Sequence, residues 1–323
     1  MSVELLLEQM ADGEFHSGEA LGELLGVSRT AVWKHLQKLE GLGLYLESVK
    51  GKGYRIPGGV ELLDAAQIES GLSPGARAFI RKLDVMQSVD STNTKAMNEA
   101  VSGVGHGYVC LAEHQAAGRG RRGRQWVSPF GQSLYLSVVV EFKEGAAALE
   151  GLSLAVGVAL LRALDSVGAK DVGLKWPNDV LWHGRKLAGI LLEMTGDPAG
   201  VCQVVVGLGV NMSLADTAAE AIGQPWVDVA EIVPDVSRNQ FAVALFNELM
   251  PVLAGFSTTG FAAYRREWEA AHVHAGEAVE LAFGVGESVS GIALGVTNSG
   301  ALRLELNGVE REFSGGEVSL RSV

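Results

Sequence analysis

With 323 residues, 47% of them hydrophobic and 20% charged, the chain is long enough for about two domains and a small third, and too apolar to be disordered. Its net charge of −12 excludes a protein that coats nucleic acid with its average surface, and its longest candidate membrane run, 152–161, is about half the ~20 residues that span a bilayer. Glycine is in excess, 42 of 323, yet below the level of low-complexity sequence, which assigns it to turns and ligand loops. Met1-Ser2-Val3-Glu4 lacks the basic start of a secretory signal, and Cys110 and Cys202 sit in apolar runs that suit buried free thiols. The expected compartment is the cytoplasm, with no membrane partner.

Helices are predicted over 3–10, 18–25 and 29–40. Ser17 caps the second and Gly26 ends it, and Ser28 caps the third. In the third, Val32, Leu36 and Leu39 recur at helical spacing and leave Arg29, Thr30, Lys34, Gln37 and Lys38 to solvent. Strand-like 44–49 and 54–56, around Lys50-Gly51-Lys52-Gly53, complete a winged helix-turn-helix. All six Lys and Arg of residues 1–58 lie between Arg29 and Arg55, opposed there only by Glu40 and Glu47. A helical protein-interaction module has similar amphipathicity. The turn, the third helix and the wing would nevertheless present positive charge to one duplex backbone, which favours DNA binding by Ser28, Arg29, Thr30, Trp33, Lys34, Lys50 and Lys52. Trp33 either contacts a base or packs on the wing, packing being the simpler reading.

Pro57-Gly58-Gly59 reads as a linker. Beyond it strands are predicted over 82–89, 108–113, 134–140, 172–175, 180–182, 187–194 and 202–210, and helices over 94–102, 149–167, 238–254 and 261–270. From 278 to 321 short alternating runs broken by glycine predict a small β-barrel. The chain is thus α+β (mixed α/β), divided at 1–58, 59–272 and 273–323.

Gly118-Arg119-Gly120-Arg121-Arg122-Gly123 matches the dinucleotide fingerprint letter for letter, but no helix opens at its third glycine. What remains is a loop carrying Arg119, Arg121, Arg122 and Arg124 within a chain of −12. Such a loop suits a bound phosphate or carboxylate better than it suits solvent or nonspecific RNA. Lys175-Trp176-Pro177-Asn178-Asp179 places a cation, a rigid turn and a carboxylate at a strand junction, and Lys186 begins a buried strand. Asp90-Ser91-Thr92-Asn93 clusters donors and acceptors at a helix start, which by itself is an ordinary cap.

In this order these segments, with the 115–129 loop, 185–191, Gly209-Val210-Asn211-Met212 and the C-terminal barrel, resemble the bifunctional biotin-protein ligases and biotin operon repressors over nearly the full length. The resemblance implies a central mixed-sheet core like that of class II synthetases and an SH3-like barrel. It implies that biotin and ATP form biotinyl-5′-AMP and pyrophosphate. A lysine of a biotin carboxyl carrier protein, an acetyl-CoA carboxylase subunit, then takes the biotinyl group. Carboxylate and α-phosphate repel each other, so fixed positive charge is required. By resemblance Lys186, Arg121 and Arg119 are catalytic, and biotin is bound by Ser91, Thr92, Asn93, Gln115, Gly118, Arg119, Gly120, Arg121, Lys186 and Gly189. ATP and the adenylate fall to Arg121, Arg122, Trp126, Lys175, Asn178, Asp179, Lys186 and Asn211. Mg2+ is expected to bridge the phosphates, with ligands the sequence does not assign. Trp226, in a segment (213–237) that departs from the family pattern, is the candidate cap for adenine. The resemblance also makes the adenylate a corepressor that promotes a homodimer on a palindromic operator, with strand 189–195 as the pairing edge. Two other readings stand beside it. One is a repressor that senses biotin without ligating it, opposed by Arg119, Arg121 and Lys186. The other is a lipoate-type ligase, opposed by the polar cluster Ser91 to Asn93.

Overall fold

The computed structural model describes residues 2–215, 220–283, 287–315 and 318–322; of the divergent segment 213–237, residues 216–219 lie outside the described residues. Ser17 and Ser28 stand in extended backbone ahead of α2 (Gly18–Leu25) and α3 (Arg29–Gly41), and their hydroxyls accept from the first-turn amides of Ala20 and Ala31. Gly26 ends α2 at φ 63°, a left-handed turn open to glycine. With α1 (Ser2–Met10), these helices close Leu6, Leu7, Met10, Leu21, Val32, Leu36 and Leu39 into a small core, beside which β1 (Glu47–Val49) and β2 (Gly53–Arg55) form the wing.

Arg29, Thr30, Lys34 and Lys38 are exposed on α3, as are Lys50 and Lys52 at the wing tip. Trp33 is 51% exposed, so packing on the wing does not consume its indole. Arg55 is drawn away into a 2.6 Å ion pair with Glu47. The small core has one member from far downstream: Phe130, at the end of the arginine loop, is fully buried in it. Its amide donates to Leu42 O (3.0 Å), and Gln132 Nε2 donates to Gly43 O (3.2 Å). The end of α3 is thereby stitched to the loop's downstream stem.

The linker is held as well. Val60 N donates to Ala11 O at 3.0 Å, and Glu61 accepts from Ser237 Oγ, Arg238 N and Asn239 Nδ2 at the start of the helix Arg238–Thr259. Beneath it lies a buried ion pair between Arg238 and Glu113, in which Glu113 also accepts from Leu63 N and Arg238 donates to Ser133 O. Removing one partner of such a pair costs about 3–5 kcal/mol, because the other is left charged and buried. Two helices absent from the sequence reading follow, α4 (Ala65–Ser70) and α5 (Pro74–Phe79). Six residues are too few to show an apolar period, although Asp64 and Ser73-Pro74 carry the starting signals.

The central sheet has the order β3-β4-β5-β9-β8-β7-β6. Its strands are β3 (Lys82–Met86), β4 (Tyr108–Ala112), β5 (Ser133–Phe142), β6 (Val172–Lys175), β7 (Asp179–Trp182), β8 (Arg185–Gly196) and β9 (Cys202–Asn211). Only β3 and β4 run parallel. One face presents Leu134, Leu136, Val138, Val204, Val206, Leu208 and Ile190 to α7 (Leu152–Ser166) and to Arg238–Thr259. The stretch 146–166 and the helix Arg238–Thr259 are long and apolar enough to cross a membrane by length and composition, which corrects the sequence estimate. Their apolar residues here fill the core. On the other face α6 (Thr92–Ser102) lays Ala96 and Ala100 on Val139 and Val205, beside Tyr108 and Cys110. Both cysteines are free and buried, and burial pushes the Cys110 thiol up to about 12.

The expected pairing edge 189–195 needs correction: β8 lies between β9 and β7. Because β7 has four residues against twelve in β8, it covers β8 only up to Gly189. The second half of β8 extends beyond β7 on that side.

The C-terminal strands β10 (Ala278–Phe283), β11 (Glu287–Val296), β12 (Leu302–Leu306), β13 (Val309–Phe313) and β14 (Val318–Ser322) form an antiparallel sheet in the order β13-β12-β11-β10-β14. Trp176, 1% exposed, donates its indole N–H to Gly300 O at 3.0 Å and pins this sheet to the central one. Near the junction His272 is 6% exposed with neither ring nitrogen hydrogen-bonded, and burial lowers its pKa to about 4.

Candidate active site

Registered residues of an antiparallel sheet share a face, so the rows Tyr135–Gly209–Gly189 and Ser137–Gly207–Leu191 lie side by side at the N-terminal end of α6. Three glycines on neighbouring strands leave a floor of bare backbone. The Trp126 indole rests on it: a Cβ on Gly209 would stand 2.6 Å from Trp126 Cε2, and one on Gly189 3.0 Å from Cζ3. A Cβ on Gly207 would meet Asn93 Oδ1 at 2.0 Å, so this glycine is the notch that seats Asn93. Above the floor is a cavity of about 630 Å³, roofed by the arginine loop.

Seven cationic side chains line that cavity among the described residues (Arg119, Arg121, Arg122, Arg124, Lys175, Lys186 and Arg321) against one carboxylate, Asp179. Lys186 arrives there through a bulge. Regular alternation from Gly189 would put Leu187 on the cavity face, but the register shifts between Val180 and Leu181. Leu187 is therefore buried in the core, while Lys186 Nζ reaches Asp179 Oδ1 at 2.7 Å and lies 5.4 Å over the Trp126 ring. Arg121 donates to Asn178 Oδ1 at 2.9 Å, and Asn178 Nδ2 is braced on Ile190 O. Burial lowers Arg121 and Lys175 below their ordinary pKa values, neighbouring cations push the same way and Asp179 opposes them. An anion entering here relieves a repulsion already in place.

The arginine loop carries one short helical turn, Arg121–Gly123, in which Arg122 adopts φ 60°, a left-handed conformation costing a side-chain-bearing residue about 1 kcal/mol or more. At the opposite wall Gln115 Oε1 accepts from Thr92 N (2.9 Å), and Gln115 Nε2 donates to Ser128 Oγ (3.0 Å). Ser137 Oγ lies 2.8 Å from Thr92 Oγ1 and 2.6 Å from Asn93 Oδ1. The helix begins at Thr92, two residues earlier than predicted, and Ser91 makes no side-chain cap, so the cap reading of that hydroxyl falls. Trp126 Nε1 is a buried donor without a partner.

Ser91, Thr92, Asn93, Gln115, Arg119, Gly120, Arg121, Arg122, Trp126, Lys175, Asn178, Asp179, Lys186, Gly189 and Asn211 all line this cavity. Gly118 does not. It sits in the loop stem, where a Cβ would meet Ser128 Oγ and Trp126 O at 2.5 Å, and it borders an adjoining groove. Asn211 spends its amide on Lys186 O and Val227 O and acts as a brace. Trp226 lies on the wall. Sequence reasoning missed Gly207 and Gly209, although glycine at every second position of Val206-Gly207-Leu208-Gly209 signals a bare strand face. It missed Arg321 as well, which comes from the last strand and leaves no local signal. No group of three or more His, Cys, Asp or Glu capable of holding a metal occurs among the described residues, and Asp179 is already paired with Lys186. Asp179 is the one carboxylate at the cavity among the described residues that a nucleotide-borne cation could meet.

An acid and a nucleotide meet productively only where their repulsion is cancelled, and here that place shares a chain with a winged helix. The class so defined is a carboxylate-activating ligase that carries its own DNA-binding module. Family models agree: the biotin/lipoate A/B protein ligase family matches residues 85–211, an HTH domain 3–55 and the biotin protein ligase C-terminal domain 274–321. The chain is 42% identical over 317 residues to the bifunctional ligase/repressor BirA of Escherichia coli, covering 98% of this chain and 96% of that protein. It is 35% identical over 249 residues to the biotin--[acetyl-CoA-carboxylase] ligase of Mycobacterium tuberculosis, covering 76% and 91%. The biotin protein ligase of Aquifex aeolicus in complex with biotin and ATP superimposes with a TM-score of 0.64 at 25% identity, over 76% of this chain and 100% of that one. The chain belongs to the family of bifunctional ligase/repressors.

Proposed function

We propose that the protein joins biotin to ATP as biotinyl-5′-AMP and passes the biotinyl group to a lysine of a biotin carboxyl carrier protein. We further propose that the adenylate-bound form pairs and represses a biotin operon through its winged helices, in the cytoplasm. In the first step a biotin carboxylate oxygen attacks the α-phosphorus and pyrophosphate leaves. In the second the lysine amine attacks the acyl carbon and AMP leaves with the bonding pair. One observation carries this reading: seven cations face one carboxylate over a glycine floor, in a chain of net charge −12. Lys186, held by Asp179, is placed to stabilise charge on the reacting carboxyl and phosphoryl oxygens, and Arg119 and Arg121 to close over them. Thr92, Asn93 and Gln115 supply the mixed donors and acceptors that a ureido ring needs. Loop order over the anhydride keeps water away from it. Magnesium would be carried on the nucleotide's own phosphates, where it would offset their charge, with Asp179 the carboxylate nearest to hand among the described residues lining the cavity.

The second half of β8 offers backbone for sheet pairing between two copies, and Arg29, Lys34, Lys50 and Lys52 face outward for DNA. Incubation with ATP, biotin and a carrier domain is expected to yield one biotinylated lysine. Ligand binding without transfer leaves only the sensing repressor, and preference for lipoate in direct competition shifts the assignment to a lipoate ligase.

A further inference from the structure

The row next to Ser137–Gly207–Leu191 is Val139–Val205–Glu193. Two of its members are the apolar residues that α6 covers, so a carboxylate as the third calls for a reason. Glu193 lies outside the cavity described above, with its side chain 27% exposed. Its Oε2 accepts two hydrogen bonds, from Asn93 Nδ2 at 2.8 Å and from Arg119 at 2.7 Å. A single oxygen thus joins the sheet, the first turn of α6 and the arginine loop.

Stability does not account for this. An ion pair whose arginine is 43% exposed contributes about 0–1 kcal/mol. Orientation does. A carboxylate only accepts, so it dictates that the amide nitrogen of Asn93 points toward Glu193 and the amide oxygen toward Ser137. Ser137 donates its one proton to Asn93 Oδ1, its shorter contact at 2.6 Å, while Thr92 Oγ1, 2.8 Å from Ser137, donates its own to Gln115 Oε1 at 3.2 Å. The Asn93 amide and the Ser137 hydroxyl of the polar wall are thereby oriented from Glu193 inward. The same oxygen ties Arg119, and with it the arginine loop, to the sheet. We infer that Glu193 is a positioning residue that makes loop closure and recognition of the biotin ring system a single event; this rests on the biotin-ligase reading above.

The test uses the full-length protein with Glu193→Ala, Glu193→Gln, Arg119→Ala and the double variant E193A/R119A. Glu193→Ala is expected to raise KM for biotin and the rate of biotinyl-5′-AMP release about tenfold each, with a smaller effect on kcat and none on KM for ATP. Glu193→Gln, which still accepts from Asn93 but no longer pairs with Arg119, is expected to recover most of the biotin KM while still releasing adenylate fast. The double variant is expected to release adenylate no faster than the more affected single variant. A general folding defect would instead lower kcat and ATP affinity together. If the parent protein makes no adenylate, the ligase reading fails. If it does, and Glu193→Ala equals it in both biotin KM and adenylate release, or the two substitutions simply add, this inference alone is overturned.

Discussion

Replacing Phe130 by Ala tests whether the arginine loop and the winged helix share one core. The side chain is fully buried among Leu6, Leu7, Met10, Val32, Leu36 and Leu39, and its removal from such a setting costs about 3–5 kcal/mol. A domain of about 60 residues has roughly 3–9 kcal/mol in total, so the substitution leaves the winged helix marginal. The central domain has a separate core and retains its own stability. Amide hydrogen exchange resolves the two: protection in α3 is expected to fall on the order of 10²-fold or more, while β5 and β9 keep theirs. Adenylate is expected to dissociate faster as well, because the ring that seats the loop's stem in the winged-helix core is gone. Phe130→Leu restores most of the lost volume and should recover both. Parental protection in α3, or an equal loss across both domains, refutes the shared core.

Lys186→Ala is expected to slow single-turnover adenylation by about 10²–10³-fold, the usual loss when one preorganised charge is removed, with little change in Tm. Gly209→Ala places a methyl group where the Trp126 ring lies, and is expected to weaken adenylate retention more than it lowers thermal stability, read from release rates and melting curves. His272 binds its proton at about 4 when folded against an ordinary 6.5. The unfolded chain therefore holds the extra proton between those values, so this contribution is complete above about pH 6.5 and declines as pH falls toward 4. It amounts to about 2 kcal/mol lost by pH 5. Urea unfolding at pH 7.5 and 5.0 measures it, and His272→Leu should flatten that part of the slope; an undiminished slope in the variant rejects the assignment.

What could be read in the sequence was local. Ser17 and Ser28 announced their helices because capping is decided within three residues, and the long strands β8 and β9 announced themselves by long, mostly apolar runs. The cationic loop stood out against the acidic average. Position across the sheet was not legible. The bulge that swaps Lys186 for Leu187 depends on how β7 pairs, and the seat of Asn93 depends on Gly207, on a strand more than a hundred residues away. Trp176 read as part of a ligand motif, yet its indole N–H serves Gly300, because the motif also marks where the C-terminal sheet docks. Phe130 looked like the end of a loop and belongs to another domain's core.

That last placement gives the winged helix two points of attachment: the chain itself at Ala11 and Val60, and the seat of Phe130 beside Leu42. A body held at one point can tumble, whereas a body held at two can turn only about the line through them. The third helix of the winged domain is therefore restrained relative to the sheet that carries it. In a pair of such molecules, the distance between the two helices, and with it the separation of the DNA half-sites they can read, is ruled by how the catalytic domains meet and not by the reach of a tether.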